Sequence, residues 1–333
     1  MILSNKINYL CGSFNSSLPM ISRRLIRIKV LQTLYSAQSR EERSLSILEK
    51  EYFHSINKTY ELYLLFLQVP IELAKAEEQK IDIGLQKFRP TPEERNPNMR
   101  FCQNAVIERL RKNVELTNVI NEKKVNWANN ADFFKTLNIQ LRQYDFFNDY
   151  MNKPSVTFED DKKILLNIID KIVPNTEAFD SILEDMSIFW NDEVEFVLNM
   201  VSKTIKSFEE GKLDKPLMKV FKNEDDQEFA KQLIRNTLNN QDEYNKLIRK
   251  YSQNWDMSRM AVIDHLIMQT AIAEIVEFPS IPVKVSLNEY IDLAKLYSTD
   301  NSNTFINGIL DSVVKDLKSQ GKVVKTGRGL IDN

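Results

Sequence analysis

The stretch IPVKVSLNEYIDLAKLYSTDNSNTFINGILDSVV, residues 281–314, decides the fold class of this 333-residue chain. Its apolar residues recur every three or four positions, which is the spacing of one face of a helix. Pro282 stops a preceding helix, and the pair Ser286 and Glu289 predicts a capping box that begins the next one. The polar run 298–303 predicts a turn. The pattern therefore predicts two consecutive α-helices.

The same spacing continues over almost the whole chain, so the fold class that we predict is all-α. Ser258 can begin a helix that ends near Phe278, and a long helical stretch over residues 45–86 is interrupted at Pro70. Residues 89–98, with three prolines, predict a loop. Further helical segments are predicted over residues 99–123, 132–150, 159–172 and 176–209.

Composition limits the chemistry that this chain can perform. The formal net charge of -2 excludes a chain that is basic throughout, so nucleic acid would have to bind a local basic patch. With seven glycines and one Gly-x-Gly, at residues 327–329, the sequence argues against phosphate-binding loops. Cys11 and Cys102 lack a paired spacing, which indicates a reducing cytosol, and no apolar run has the length of a membrane span.

Patterns for catalysis or metal binding are weak. Glu51 and His54 have the spacing of one half of a di-iron site, but such a site needs a second Glu-x-x-His. The only other histidine, His265, has Val262 at that spacing. We therefore expect no metal, no cofactor and no small-molecule substrate, and we expect the chain not to be an enzyme.

Residues 22–36, SRRLIRIKVLQTLYS, place three arginines at the start of a predicted helix. Arg23, Arg24 and Arg27 fall within about a 100° arc of the helix. Free backbone N–H groups there add to the positive potential, so phosphate binding is one interpretation and a solvated basic helix end is the other. Tyr35 on the same helix can stack a base or pack in the core.

Three segments resemble the NusB family of transcription antitermination factors. They are SRRLIRIKVLQTLYS at 22–36, NWDMSRMAVIDHLIM at 254–268 and the 281–314 stretch, in the order and spacing of that family. The third segment is the most specific, and its residues on family pattern positions are Pro282, Val283, Lys284, Asn288, Glu289, Ala294, Lys295, Ser302, Phe305, Asn307, Gly308, Leu310 and Asp311. The similar parts cover residues 22–38 and 224–317.

The resemblance implies two packed helical bundles of NusB type with an additional helical insertion in the N-terminal part. Residues 20–252 would form the N-terminal helical subdomain, including an insertion at about 44–222 where the family usually has one short helix. Residues 253–320 would form the C-terminal helical subdomain. Residues 1–19 are expected to be a poorly ordered extension or a mis-called start, and residues 321–333 a basic tail.

The resemblance also implies a function. NusB proteins pair with NusE, which is also a protein of the small ribosomal subunit, and the pair binds the boxA element of nascent RNA. This binding helps RNA polymerase to read through ribosomal RNA operons. The expectation is therefore a cytoplasmic, non-enzymatic antitermination factor. Its partners would be boxA-like single-stranded RNA, NusE and the RNA polymerase antitermination complex, with no membrane.

The resemblance assigns an arginine-rich RNA-binding motif to the start of the first helix and an RNA-contacting aromatic to Phe305. The RNA-binding residues that we predict are Arg23, Arg24, Arg27, Tyr35, Asn301, Ser302 and Phe305. Leu25, Gln269 and Thr304 stand where the family often has basic residues. These departures would weaken RNA binding.

Two alternatives remain beside this interpretation. The chain can be a protein-interaction or ribosome-biogenesis module of NusB fold that has lost direct RNA binding. It can also be part of an RNA-modifying enzyme, because some rRNA cytosine methyltransferases carry a NusB-like domain, although the sequence ends soon after the matching region. Likewise, the basic tail can contact RNA or only aid solubility, and the acidic block 176–202 can face a basic partner or solvent.

Overall fold

The computed structural model describes residues 20–38, 40, 44–190, 192–212, 217–252 and 260–331, except for the side chains of residues 300 and 301. These residues form helices and no strand, which confirms the all-α fold class. The α-helices are α1 (Arg23–Ser36), α2 (Leu45–Leu67), α3 (Val69–Leu85), α4 (Pro92–Arg95), α5 (Ala105–Lys112), α6 (Val114–Lys123), α7 (Ala131–Leu141), α8 (Asp145–Asn152), α9 (Phe158–Asn167), α10 (Glu177–Met186), α11 (Val194–Ser207), α12 (Glu224–Asn239), α13 (Gln241–Tyr251), α14 (Val262–Glu277), α15 (Val283–Tyr297) and α16 (Asp300–Ser319). A π-helical turn, Ile168–Ile172, continues α9, and 3-10 turns occupy Ala128–Asn130, Val173–Asn175, Ile188–Trp190 and Gly327–Leu330.

Proline positions explain two helix boundaries. Pro70 lies in the first turn of α3, where its missing N–H costs no helical hydrogen bond, and the long helical stretch is interrupted at Gln68 just before it. The predicted interruption at Pro70 is thereby confirmed. α14 ends at Glu277, one residue before the predicted end and two before Pro279, whereas Ser258 lies outside the described residues.

The predicted capping box at Ser286 and Glu289 is wrong. α15 begins three residues earlier, at Val283, and its N-cap Pro282 offers no side-chain hydrogen bond. Ser286 is fully buried inside the helix, and its hydroxyl donates to Glu274. Local spacing alone matched the capping pattern, but in the fold the Ser286 hydroxyl donates its hydrogen bond to a buried carboxylate on another helix.

The chain divides into two compact units. One unit contains Asn57–Val220, and the other combines Ile21–Ile56 with Phe221–Asn333. The division falls within α2, and α1 belongs to the same unit as α12 to α16. The subdomain boundaries and the insertion at about 44–222 stay predictions from the sequence.

The Asn57–Val220 unit has an aromatic core. The Phe179 ring lies edge-to-face against Phe133, with ring centroids 4.7 Å apart, and against Trp127 at 5.7 Å. The indole N–H of Trp127 donates to the Leu65 carbonyl at 2.9 Å, so the buried polar atom is satisfied. This core joins α2, α7 and α10.

α14 is the central helix of the other unit, and every residue from Leu266 to Ile275 is buried. A helix buried on all sides must satisfy each of its polar side chains with protein partners. Thr270 donates to the Leu266 carbonyl, and Gln269 donates to Asn245. Glu274 is the remaining polar residue between Leu266 and Ile275, and it organises the site described below. None of the helices in the described part of the chain is long and apolar enough to cross a membrane.

Candidate nucleic-acid interface

The start of α1 is a positively charged helix end. Ser22 caps it, because its hydroxyl accepts a hydrogen bond from the Leu25 N–H at 3.3 Å. The first turn contains no acidic residue that would offset the helix dipole. Arg23 and Arg24 therefore add their charges to an end that is already positive.

Arg27 lies one turn further along α1 and points into the interior. Its Nε and NH2 groups donate to the two oxygens of Glu274, each at 2.7 Å. The Ser286 hydroxyl also donates to Glu274 at 2.7 Å, and the Tyr290 hydroxyl donates at 3.1 Å. Four donors therefore saturate one buried carboxylate and tie α1, α14 and α15 together.

The electrostatics of this cluster favour the charged pair. Burial works against the charged form of Arg27, but coulombic attraction and hydrogen bonds to Glu274 outweigh it and raise the pKa of Arg27 above its ordinary value. Burial and the same carboxylate hold the pKa of Tyr290 well above its usual range. The Tyr290 hydroxyl therefore stays protonated and acts as a donor.

This burial corrects the sequence prediction for Arg27. The residue is only 3% exposed and has no surface to offer a phosphate. A guanidinium in the interior requires a carboxylate partner, and that partner lies 247 positions away in the sequence. Arg27 therefore holds the helices together.

Arg23 and Arg24 differ from Arg27 because solvent reaches them. The Arg23 side chain is 43% exposed and donates to Asp226 at 3.0 Å, and the Arg24 side chain is 28% exposed and donates to Asp292 at 3.2 Å. The Arg24–Asp292 pair is partly exposed on both sides, and such pairs contribute little to stability, so a phosphate can compete for Arg24 at small cost to the fold. Asp226 is buried, so Arg23 must keep this carboxylate as a partner when its exposed part meets a phosphate.

The remaining predicted residues fall on α1 and α16. Tyr35 lies in the last turn of α1, roughly 18 Å along the helix from Arg23, and is 53% exposed, so its ring is not part of the core. Ser302 and Phe305 lie one turn apart in the first half of α16, and both are half-buried. The Asn301 side chain lies outside the described residues.

The sequence analysis did not assign a role at this site to two residues, Glu274 and Lys295. Glu274 is the one charged residue in the buried run from Leu266 to Ile275, and this isolation was a signal for a buried ion pair. Lys295 donates to Asp292 at 3.2 Å, so Arg24 and Lys295 share one half-exposed carboxylate. By contrast, Gln269 is 1% exposed, so the position at which the family resemblance expects an arginine lies inside this fold.

Part of the basic tail packs against the end of α14. Lys325 is buried and donates to the carbonyls of Ile275 and Phe278 at 2.7 and 3.0 Å, and this burial lowers its pKa to about 8. Gly329 passes so close that a Cβ would lie 1.9 Å from the Pro279 carbonyl oxygen. Lys325 is therefore a packing residue rather than a surface cation.

Comparison with known proteins identifies the NusB family. The family model of that name matches residues 192–315. Three bacterial proteins named "Transcription antitermination protein NusB" are similar to this chain. The Salinibacter ruber protein is 44% identical over 31% of this chain and 65% of its own length, and the Chloroherpeton thalassium protein is 44% identical over 32% of this chain and 50% of its own length. The Desulfatibacillum aliphaticivorans protein is 41% identical over 29% of this chain and 68% of its own length. The chain thus spans less than two thirds of the length of the first two relatives.

A solved NusB of T. maritima matches 46% of this chain and 90% of that chain at 24% identity. Its TM-score of 0.27 is too low to bear on the fold. The assignment rests on the Desulfatibacillum aliphaticivorans protein, because it is 41% identical to this chain and the match covers 68% of that protein's length. The chain belongs to the NusB family.

Proposed function

We propose that this chain is a non-enzymatic, RNA-binding transcription antitermination factor. Its membership of the NusB family supports the proposal, since similar proteins carry that function in their name. The observation that carries it is the start of α1, where Arg23 and Arg24 stay partly exposed while Arg27 anchors the same helix in the interior. A rigid, positively charged helix end suits a polyanionic ligand.

The ligand that we propose is a boxA-like single strand of nascent ribosomal RNA, bound together with NusE in the RNA polymerase antitermination complex. Arg23 and Arg24 contact phosphates in this proposal, and Tyr35, Phe305 and Ser302 contact bases or sugars. Exposed aromatic rings stack on unpaired bases in single-strand recognition. Asn301 stays a candidate from the sequence alone.

Replacing both Arg23 and Arg24 by alanine is expected to weaken binding of a boxA-type single strand about tenfold, because two charge-assisted phosphate contacts are lost. The plot of log affinity against log salt should become shallower by about 1.4, since each phosphate contact to a single strand contributes roughly 0.7. Fluorescence anisotropy titrations at several salt concentrations measure both quantities.

The matched control replaces two exposed arginines on other helices of the same unit, as Arg235→Ala with Arg249→Ala. It removes the same amount of positive charge as the Arg23 and Arg24 variant. This control should leave the salt slope close to that of the unmodified chain. An unchanged slope in the Arg23 and Arg24 variant would count against an RNA site at the start of α1.

A second candidate function is a protein-interaction or ribosome-biogenesis module without direct RNA binding. Two observations favour it. Each of the three arginines already has a carboxylate partner within the chain. Gln269, where the family resemblance expects an arginine, is buried. An electrophoretic shift of boxA-type RNA, with and without the purified NusE-type ribosomal protein, separates the two candidates. Recovery of that protein in a pull-down without any RNA shift would support the second candidate.

A further inference from the structure

The connection between α10 and α11 exposes three apolar side chains. Ile188 is 79% exposed, Phe189 is 41% exposed, and Met186, the last residue of α10, is 38% exposed. All three lie within four consecutive positions on the surface of the Asn57–Val220 unit. Exposed apolar side chains gathered at one place, rather than scattered singly, are typical of an interaction surface.

This connection is held in place on its inner side. Trp190, at the end of the 3-10 turn, is buried, and its indole N–H donates to the Lys58 carbonyl of α2 at 2.7 Å. The Glu193 carboxylate is also buried and accepts from the Thr59 hydroxyl. Both contacts tie the connection to α2, so the exposed side chains stand on a fixed backbone. A surface that is ordered in advance loses less conformational entropy when it binds a partner.

The charge around these apolar side chains has one sign. No Lys, Arg or His occurs between Lys171 and Lys203, and the segment between them contains seven acidic residues. Those that are exposed are Glu177, Asp180, Glu184, Asp185, Asp192 and Glu195. None of these exposed carboxylates forms an ion pair with a residue in the described part of the chain.

The cations that border this segment are engaged or distant. Lys58, whose carbonyl meets Trp190, pairs with Glu61 at 2.7 Å. The Lys171 ammonium lies over the Phe146 ring, 5.7 Å from its centroid. Lys203 lies roughly 14 Å along α11 from its first residue. The segment therefore keeps its negative excess.

Two of the carboxylates lack the local role that others have. Glu177 and Asp180 lie in the first turn of α10, and Glu195 lies in the first turn of α11, where the helix dipole favours acidic side chains. Glu184 and Asp185 lie in the last turn of α10, which contains no basic residue, and there the dipole disfavours negative charge. A cationic partner beside the exposed apolar residues would offset this repulsion.

We propose that the 184–189 patch, made of Glu184, Asp185, Met186, Ile188 and Phe189, binds a basic amphipathic segment of a partner protein. Apolar side chains of that segment cover Ile188 and Phe189, and its lysines or arginines meet Glu184 and Asp185. Nucleic acid is disfavoured, because the carboxylates repel phosphates. A metal ion is disfavoured as well, because the described residues contain no group of three or more side chains that could hold one.

Peptide display on the full-length chain tests this proposal. The probes are random 16-residue peptides, and the selected ones are then synthesised and titrated by fluorescence anisotropy at several salt concentrations. The expected peptides contain several lysines or arginines beside apolar residues, and their affinity should fall as salt screens the exposed charges. Selected peptides without basic residues would overturn the proposal.

Substitutions on the 184–189 patch locate the binding site. Ile188→Gln is expected to weaken binding of the selected peptides about tenfold, and Glu184→Gln with Asp185→Asn is expected to do the same. Glu184→Lys with Asp185→Lys should lose the basic peptides and bind versions of them in which glutamate replaces each lysine and arginine. The helix dipole favours lysine at this end of α10, so the charge reversal leaves the helix intact.

The matched controls make the same changes elsewhere in the Asn57–Val220 unit. Ile139→Gln on α7 alters an isoleucine that is 62% exposed, and Glu177→Gln with Asp180→Asn removes the same charge from the opposite end of α10. Both controls should bind the peptides within about twofold of the unmodified chain. Equal losses in the controls and in the patch variants would mean that the peptides respond to overall charge, and would overturn the proposal.

Two other results would also overturn it. Loss of self-association in Ile188→Gln, seen by sedimentation, would make a second copy of the chain the occupant. Loss of boxA affinity in the same variant, without any peptide binding, would make the patch an RNA surface. BoxA affinity that is unchanged in the patch variants keeps this test separate from the proposed RNA function.

Discussion

Replacing Arg27 by alanine is expected to lower the free energy of unfolding of its unit by about 3–5 kcal/mol, because Glu274 would remain as a buried carboxylate without a cation. Glu274 is 0% exposed, so water cannot take the place of the guanidinium. Native-state hydrogen exchange in urea, read on peptides from α1, α14 and α15, measures the loss for this unit alone.

Arg24→Ala is the matched control, since Arg24 lies on the same helix but pairs with the half-exposed Asp292. Its cost is expected to stay below about 1 kcal/mol. The double variant Arg27→Met with Glu274→Gln should recover much of the stability, because it removes both charges and keeps an acceptor for Ser286 and Tyr290. A cost for Arg27→Ala no larger than that of Arg24→Ala would contradict a structural role for Arg27.

Replacing Phe179 by alanine is expected to lower the free energy of unfolding of the Asn57–Val220 unit by about 3–5 kcal/mol, since it opens a cavity among aromatic rings that cannot close around it. Phe179 is 1% exposed and contacts Phe66, Trp127, Phe133 and Phe134. Hydrogen exchange on peptides from α2, α7 and α10 reports this loss.

Phe88→Ala is the control for Phe179, because it removes the same ring from a side chain that is 96% exposed. The change is expected to stay within about 0.5 kcal/mol. Similar losses for the two variants would mean that the aromatic cluster is not the core of this unit.

Helices and their boundaries were predictable from the sequence wherever the deciding residues are neighbours. The interruption of the long helix at Pro70 and the end of α14 before Pro279 follow from the missing proline N–H and from its fixed backbone angle. The spacing of α16 also predicts an inward face made of Phe305, Ile306, Ile309, Leu310, Val313 and Leu317, and all of these except the half-buried Phe305 are buried.

The candidate site was predictable only in part. Charge and helix position pointed to three arginines, and two of them, Arg23 and Arg24, are partly exposed at the start of α1. The buried residues Val30, Leu31 and Leu34 follow Arg27 at the spacing of one helix face and indicate its inward position, but its partner Glu274 lies on another helix and was not visible in the local pattern. The Ser286 hydroxyl was misassigned for the same reason, because its acceptor Glu274 lies on another helix.

By itself, the sequence determined the all-α class, the helix boundaries beside Pro70 and Pro279, and the family, because each depends on residues within a few positions of one another or on a continuous motif. Only the tertiary structure showed that Arg23 and Arg24 are surface cations and that Arg27 forms a buried ion pair, since Arg27 and its partner Glu274 are 247 positions apart. It also decided that Trp190 reaches the Lys58 carbonyl while Ile188 in the same turn stays exposed. Burial and pairing depend on which helices pack together, and that packing joins residues that no local pattern connects.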